Sequence, residues 1–142
     1  MSEQEMVIKF CQTLEKAWQA FAVEVPLFHR SIDVVYLDQN GKYYAIEFKL
    51  KNWKQAINQA RDYMMGANFT FICIPKHIFN EKIENAVLEH WFGIIIFDEE
   101  KWEFQEARKP KEEHWFNGRF LLQRGFEYAC ENKNYQYLLS LS

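Results

Sequence analysis

Met6, Val7, Phe10, Cys11, Leu14, Ala17, Trp18 and Phe21 recur at helical spacing. At about 100° per residue they fill one stripe of a helical wheel, which predicts an amphipathic helix over 3–22. Three short runs rich in β-branched and aromatic residues follow, at 23–28, 32–38 and 43–50, separated by His29-Arg30-Ser31 and Gln39-Asn40-Gly41. They read as strands, the last two joined in a hairpin. Trp53, Ala56, Ile57, Ala60, Met64 and Ala67 restore helical spacing, with Gly66 as a stop signal. The run 69–74, closed by Pro75, has the continuous apolar pattern of a strand buried on both faces. Ile83, Ala86, Val87 and His90 place a helix over 78–91, and 93–97 is a second buried strand. Residues 101–106 alternate as an edge strand does. The segment from Arg108 onward mixes basic residues with Trp115, Phe116, Phe120 and Phe126, and is expected to be helical and to cover the sheet.

The resulting order, α-β-β-β-α-β-α-β, implies an α/β fold in which a mixed sheet is flanked by helices on both faces. A length of 142 residues fits a single domain, divided here into a core of about 5–107 and an aromatic C-terminal extension of about 108–142. No apolar run approaches the roughly 18 residues that a membrane span needs, the longest being 92–97. Glu3 and Glu5 precede any apolar stretch, unlike a secretory leader. The expected setting is therefore the cytoplasm, with no membrane partner. Cys11, Cys73 and Cys130 are odd in number and lie in apolar surroundings, so they read as reduced core residues. A net charge of −3 argues against nonspecific coating of nucleic acid, which requires a broad basic surface, but leaves room for a small local site.

The candidate chemistry lies in the third strand. Ile46, Phe48 and Leu50 share one face of it, and Glu47 and Lys49 share the other. Whether Asp33 joins them depends on the hairpin loop. A two-residue Asn40-Gly41 turn would set Asp33 opposite Phe48, on the wrong face. A three-residue Gln39-Asn40-Gly41 loop pairs Asp38 with Lys42 and sets Asp33 opposite Glu47. Gly41 favours the second arrangement, because such a loop needs a left-handed residue at its last position. Carboxylates about 5 Å apart repel unless a cation stands between them, and oxygen ligands at that spacing favour magnesium or manganese with several waters retained. Lys49 could hold or activate a water and neutralise charge on a phosphate. The competing reading makes Glu47 and Lys49 an ordinary solvent face and Asp33 a stray charge.

Asp33, a hairpin, Glu47-Phe48-Lys49 and a following helix resemble the PD-(D/E)xK nuclease superfamily, with its restriction-endonuclease-like α-β-β-β-α-β core, over about residues 5–97. Gln59-Ala60-Arg61-Asp62-Tyr63 in that helix is similar to the Gln-x-x-x-Tyr motif of the RecB-like branch. Ile32 stands where the motif's name has proline. The resemblance implies a metal-dependent nuclease that hydrolyses DNA, with Asp33, Glu47 and the Phe48 carbonyl as ligands of Mg2+ or Mn2+ and Lys49 positioning the attacking water. It also implies that Gln59 and Tyr63 steady the site or the nucleic-acid backbone. A helix-one glutamate often completes such sites. Glu15 is the candidate because it borders the apolar stripe, whereas Glu5 points away and Glu3 lies in the first turn.

Arg30, Lys51, Lys54 and Arg61 surround the expected site and could contact phosphates, or could form a solvated face. His29, His77, His90 and His114 lack metal-ligand spacing, which makes zinc an unexpected cofactor. A chain this small would obtain target recognition from a homodimer or a larger assembly. The alternative function is a non-catalytic nucleic-acid- or protein-binding module on the same scaffold.

Overall fold

The computed structural model describes residues 1–115 and 117–142, so the aromatic Phe116 lies outside the described residues. The elements run α1 (Glu3–Lys16), β1 (Ala20–Leu27), β2 (Arg30–Leu37), β3 (Tyr43–Phe48), α2 (Trp53–Tyr63) and β4 (Phe69–Pro75). After a 3₁₀ turn at Lys76–Ile78 come α3 (Glu81–Leu88), β5 (Gly93–Asp98), β6 (Glu103–Arg108), α4 (Arg119–Glu131) and α5 (Asn134–Ser140). The α-β-β-β-α-β core of the restriction-endonuclease-like fold is therefore present.

The six strands form one sheet in chain order, β1-β2-β3-β4-β5-β6. β1 to β3 are antiparallel neighbours, β3, β4 and β5 are parallel, and β6 returns antiparallel along the edge. The helical crossovers through α2 and α3 dictate the parallel part, because a parallel neighbour cannot be reached by a tight turn. On one face, Met6, Val7, Phe10, Cys11 and Leu14 of α1 pack against Val23, Val34, Ile46, Phe48, Phe71, Cys73 and Phe97. On the other, α2, α3 and α4 cover Val25, Val35, Ala45, Ile72, Ile74 and Ile94. β4 and β5 are enclosed from both sides, which explains their unbroken apolar runs.

α1 ends six residues earlier than its apolar stripe predicts. The Trp18 and Gln19 N–H groups bond back to Glu15 O (3.1 Å) and Leu14 O (2.9 Å), the pairing of a Schellman stop. Trp18 takes the left-handed position at φ 57° and is 95% exposed. Ala20, Phe21 and Ala22 then join β1, opposite Leu37, Tyr36 and Val35. Pairing with β2 outweighs continuation of the helix. Helix three is shorter than the predicted 78–91, and the first hairpin loop is shorter than His29-Arg30-Ser31 suggested, because Arg30 and Ser31 already pair in β2. Cys11 and Cys73 are buried free thiols, as expected, whereas Cys130 is exposed.

Where described, the C-terminal segment is helical only at α4 and α5, which pack against β1, whereas 109–115, expected to be helical, have no regular secondary structure. Phe126 meets Tyr43 edge-on at 5.6 Å, and Tyr135 meets Phe21 at 4.9 Å. Among the described residues, no helix is long and apolar enough to cross a membrane.

Candidate active site

The β2–β3 loop sets the register of the site. The Asp38 N–H donates to Lys42 O (3.0 Å) and the Gly41 N–H to Asp38 O (3.2 Å), with Gly41 at φ 75°. The Asp38 carboxylate accepts the Asn40 and Lys42 N–H groups at 2.8 and 3.0 Å, closing the loop from the side chain. The ladder then pairs Leu37 with Tyr43 and continues to Val34 with Ile46, a register that sets Asp33 opposite Glu47. The three-residue loop is the one present.

Beyond Val34 and Ile46 the ladder gives way to side-chain bonding, and the Phe48 N–H donates to Asp33 Oδ2 at 2.8 Å. Strict alternation also fails here. Ile32 belongs to the core under α2 and Val34 to the core under α1, so the two neighbours of Asp33 do not share a face as the sequence pattern predicts. On β1 the same switch occurs between Ala22, Val23 and Val25, around Glu24 at φ 50°. The β1–β2 ribbon bends at the Glu24–Asp33 step and carries its tip toward α2.

Glu47 is almost wholly buried at 3% exposure. The Tyr63 hydroxyl, fully buried on α2, donates to Glu47 Oε1 at 2.6 Å, and Lys49 Nζ stands 3.9 Å from Oε2. Burial raises the proton affinity of Asp33 first, and the facing Glu47 charge raises it further, to well above the usual carboxylate range. Burial also raises Glu47, opposed by the Tyr63 hydroxyl and the Lys49 ammonium. The facing pair therefore takes up a proton more readily than isolated carboxylates do, and a hard cation between the two would relieve the same crowding of charge. Among the described residues there is no group of three or more His, Cys, Asp and Glu side chains disposed to hold a metal. The two facing carboxylates supply oxygen donors of the kind that suits an ion keeping several waters.

The remaining candidates divide. Gln59 lies one helical turn before Tyr63, and its Oε1 is buried with no hydrogen-bond partner among the described residues. Glu15 is not brought to the site. It lies in the last turn of α1, where it accepts from the Tyr135 hydroxyl at 3.1 Å. Glu3 occupies the near end instead, its Oε2 accepting the Leu50 N–H at 3.2 Å and its charge bearing on both Asp33 and Glu47. The signal for Glu3 was the Ser2-x-x-Glu5 spacing, because Ser2 Oγ accepts the Glu5 N–H at 3.0 Å and holds the first turn in place. Glu24, which also bears on Asp33, accepts from Ser31 Oγ at 2.7 Å, and nothing in the spacing pointed to it.

Arg30 donates to Asp62 Oδ2 at 2.7 Å, which occupies one side of its guanidinium. Lys54 Nζ lies 5.6 Å from the Trp53 ring centre, and Lys51, Lys54 and Arg61 are exposed.

No protein-family model matches the chain, and no curated protein matches it in sequence. Solved structures do resemble it. A protein of unknown function from Silicibacter pomeroyi superposes with a TM-score of 0.71 at 18% identity, over 94% of this chain and 89% of that one. An XisH family protein from Nostoc punctiforme gives 0.53 at 15% identity, over 74% of this chain and 98% of that one. A repair endonuclease from Pyrococcus abyssi gives 0.50 at 17% identity, over 66% of this chain but only 46% of the other. At these identities the likeness is one of fold, and it places this chain in the restriction-endonuclease-like architecture.

Proposed function

We propose that the protein is a metal-dependent nuclease that hydrolyses DNA phosphodiesters, of the RecB-like branch of the PD-(D/E)xK superfamily. The observation that carries this reading is the facing pair Asp33 and Glu47 with Lys49 beside it, held where β2 and β3 part. The fold shared with a repair endonuclease supports it. Asp33, Glu47 and the Phe48 carbonyl would hold Mg2+ or Mn2+, which when bound would polarise the scissile phosphate and acidify a water.

The chain's own residues do the rest. The Phe48 N–H fixes one oxygen of Asp33, and the Tyr63 hydroxyl fixes one oxygen of Glu47, so neither carboxylate must reorganise during reaction. Lys49 Nζ, beside Glu47, orients the attacking water and balances charge that develops on the phosphate. Gln59, one turn before Tyr63, offers its unpartnered carbonyl oxygen to the same constellation. The exposed Lys51, Lys54 and Arg61 would meet backbone phosphates, with Arg30 doing so only if it leaves Asp62. A second copy of the chain or a larger assembly would supply target recognition.

The test is cleavage of single-stranded, duplex and branched DNA by purified protein in magnesium, manganese or EDTA. Wild type should cut with either metal and not in EDTA. Lys49→Ala should lose turnover by orders of magnitude while its affinity, measured in calcium, changes little. Binding without cleavage under every condition would replace the enzyme with the binding-module reading.

A further inference from the structure

Phe28 sits in a conformation that a phenylalanine adopts only under strain. Leu27 pairs with Arg30, leaving Phe28 and His29 as a two-residue hairpin loop. Phe28 has φ 54°, whereas His29 is not in the left-handed region. A two-residue loop with positive φ at its first position alone is one that glycine fills best. An L side chain there costs roughly 1–2 kcal/mol, and this ring is half-exposed, so core packing does not offset the strain. Strain of this kind, unrelieved by burial, is an observation that points toward function.

The loop is also anchored at its base, close to the carboxylates. Leu27 is buried at its base, and Arg30 is tied to Asp62 on α2. The Tyr63 hydroxyl that bonds Glu47 stands 3.4 Å from Ser31 O, so the β2 backbone borders the site at Ser31. Phe28 lies three residues away around the hairpin turn, so its Cα stands at most roughly 10 Å from that of Ser31. That reach covers no more than about three stacked nucleotides. Beside the ring, the His29 side chain is 76% exposed.

We propose that Phe28 is a stacking platform for an unpaired base of the nucleic acid bound at the Asp33–Glu47 site, which directs the protein to single-stranded DNA or to single-stranded segments of branched DNA. The inference rests on the proposed nucleic-acid function of that site. Bases inside a duplex have both faces occupied by their neighbours, so an isolated ring can stack only on a base whose face is free. One aromatic ring, which any base can stack on, gives this preference without sequence specificity.

The experiment measures binding separately from cleavage. Anisotropy of labelled single-stranded and duplex oligonucleotides of equal length is read in calcium, at matched salt, for wild type, Phe28→Ala, Phe28→Trp and Phe28→Gly. Wild type should prefer the single strand. Phe28→Ala should weaken single-strand binding about 5- to 150-fold and leave duplex binding unchanged, and Phe28→Trp should retain it. Phe28→Gly should melt at a higher temperature than wild type while losing single-strand affinity, a combination that damaged folding cannot produce. Unchanged single-strand affinity in Phe28→Ala, an equal loss on both substrates, or no nucleic-acid binding by wild type would each overturn the proposal. A protein that shows the Phe28 dependence but never cuts would retain the platform and refute only the nuclease chemistry.

Discussion

Asp33→Asn separates two tasks of one carboxylate. Asp33 Oδ2 accepts the Phe48 N–H at 2.8 Å, and an amide oxygen keeps that bond. The side of Asp33 that faces Glu47 changes character, because an amide N–H donates to the carboxylate with no proton to be held and no charge to repel. Two unit charges about 5 Å apart repel by roughly 3 kcal/mol at an effective dielectric of 20. Proton sharing already relieves part of this, so the variant should be more stable than wild type by about 1–3 kcal/mol without metal. For a chain of this size that is a rise in Tm of roughly 3–10 °C. Folding raises the proton affinity of both Asp33 and Glu47, so wild type loses stability relative to the variant as pH climbs from the unfolded carboxylate range, near about 4, through the raised folded values. The gap should be narrow in the unfolded carboxylate range and widen steadily as the pH rises above it. Magnesium should narrow or invert the gap, because at ten to a hundred times its dissociation constant it stabilises the wild type by about 1.4 to 2.7 kcal/mol and leaves the variant unmoved. Urea and thermal melts in EDTA and in stepped magnesium provide the measurement. An Asp33→Asn protein less stable than wild type in EDTA, or a parallel magnesium response in both, would refute the facing-carboxylate argument.

Two further predictions concern the site's outer contacts and the packing of α4. Glu3→Gln should lower cleavage by roughly 10-fold or more, as loss of an outer-shell partner does, whereas Glu15→Gln should leave it unchanged, since Glu15 bonds Tyr135 at the other end of α1; equal effects in a cleavage assay would contradict the placement. A Cβ at Gly125 would overlap the Pro26 carbonyl, so Gly125→Ala should push α4 from β1 and cost about 1–3 kcal/mol, visible as a lower urea midpoint, and an unshifted midpoint would show that the helix is free to move.

Much of the site was legible along the chain because its determinants are local. Gly41 needs positive φ, the loop length follows from it, and once the loop is fixed the period of two places Asp33 opposite Glu47 without reference to anything distant. Glu47 and Lys49 share a face for the same reason. The spacing of four residues between Gln59 and Tyr63 is equally local, and it put Tyr63 on the face of α2 that reaches Glu47. Ala17, Trp18 and Phe21 continue the periodicity of α1, and periodicity says nothing about a competing strand. Only pairing with β2 decided that Ala20 to Ala22 belong to β1. The choice of glutamate was likewise tertiary: Glu3 and Glu15 both lie on α1, and which one approaches the carboxylates depends on which end of the helix crosses the end of β3. The bend at Glu24 and Asp33 and the strained Phe28 are set by how the β1–β2 ribbon wraps toward α2 and α4. A side-chain pattern records which residues face a core, but it does not record how far a two-stranded ribbon must twist to reach that core.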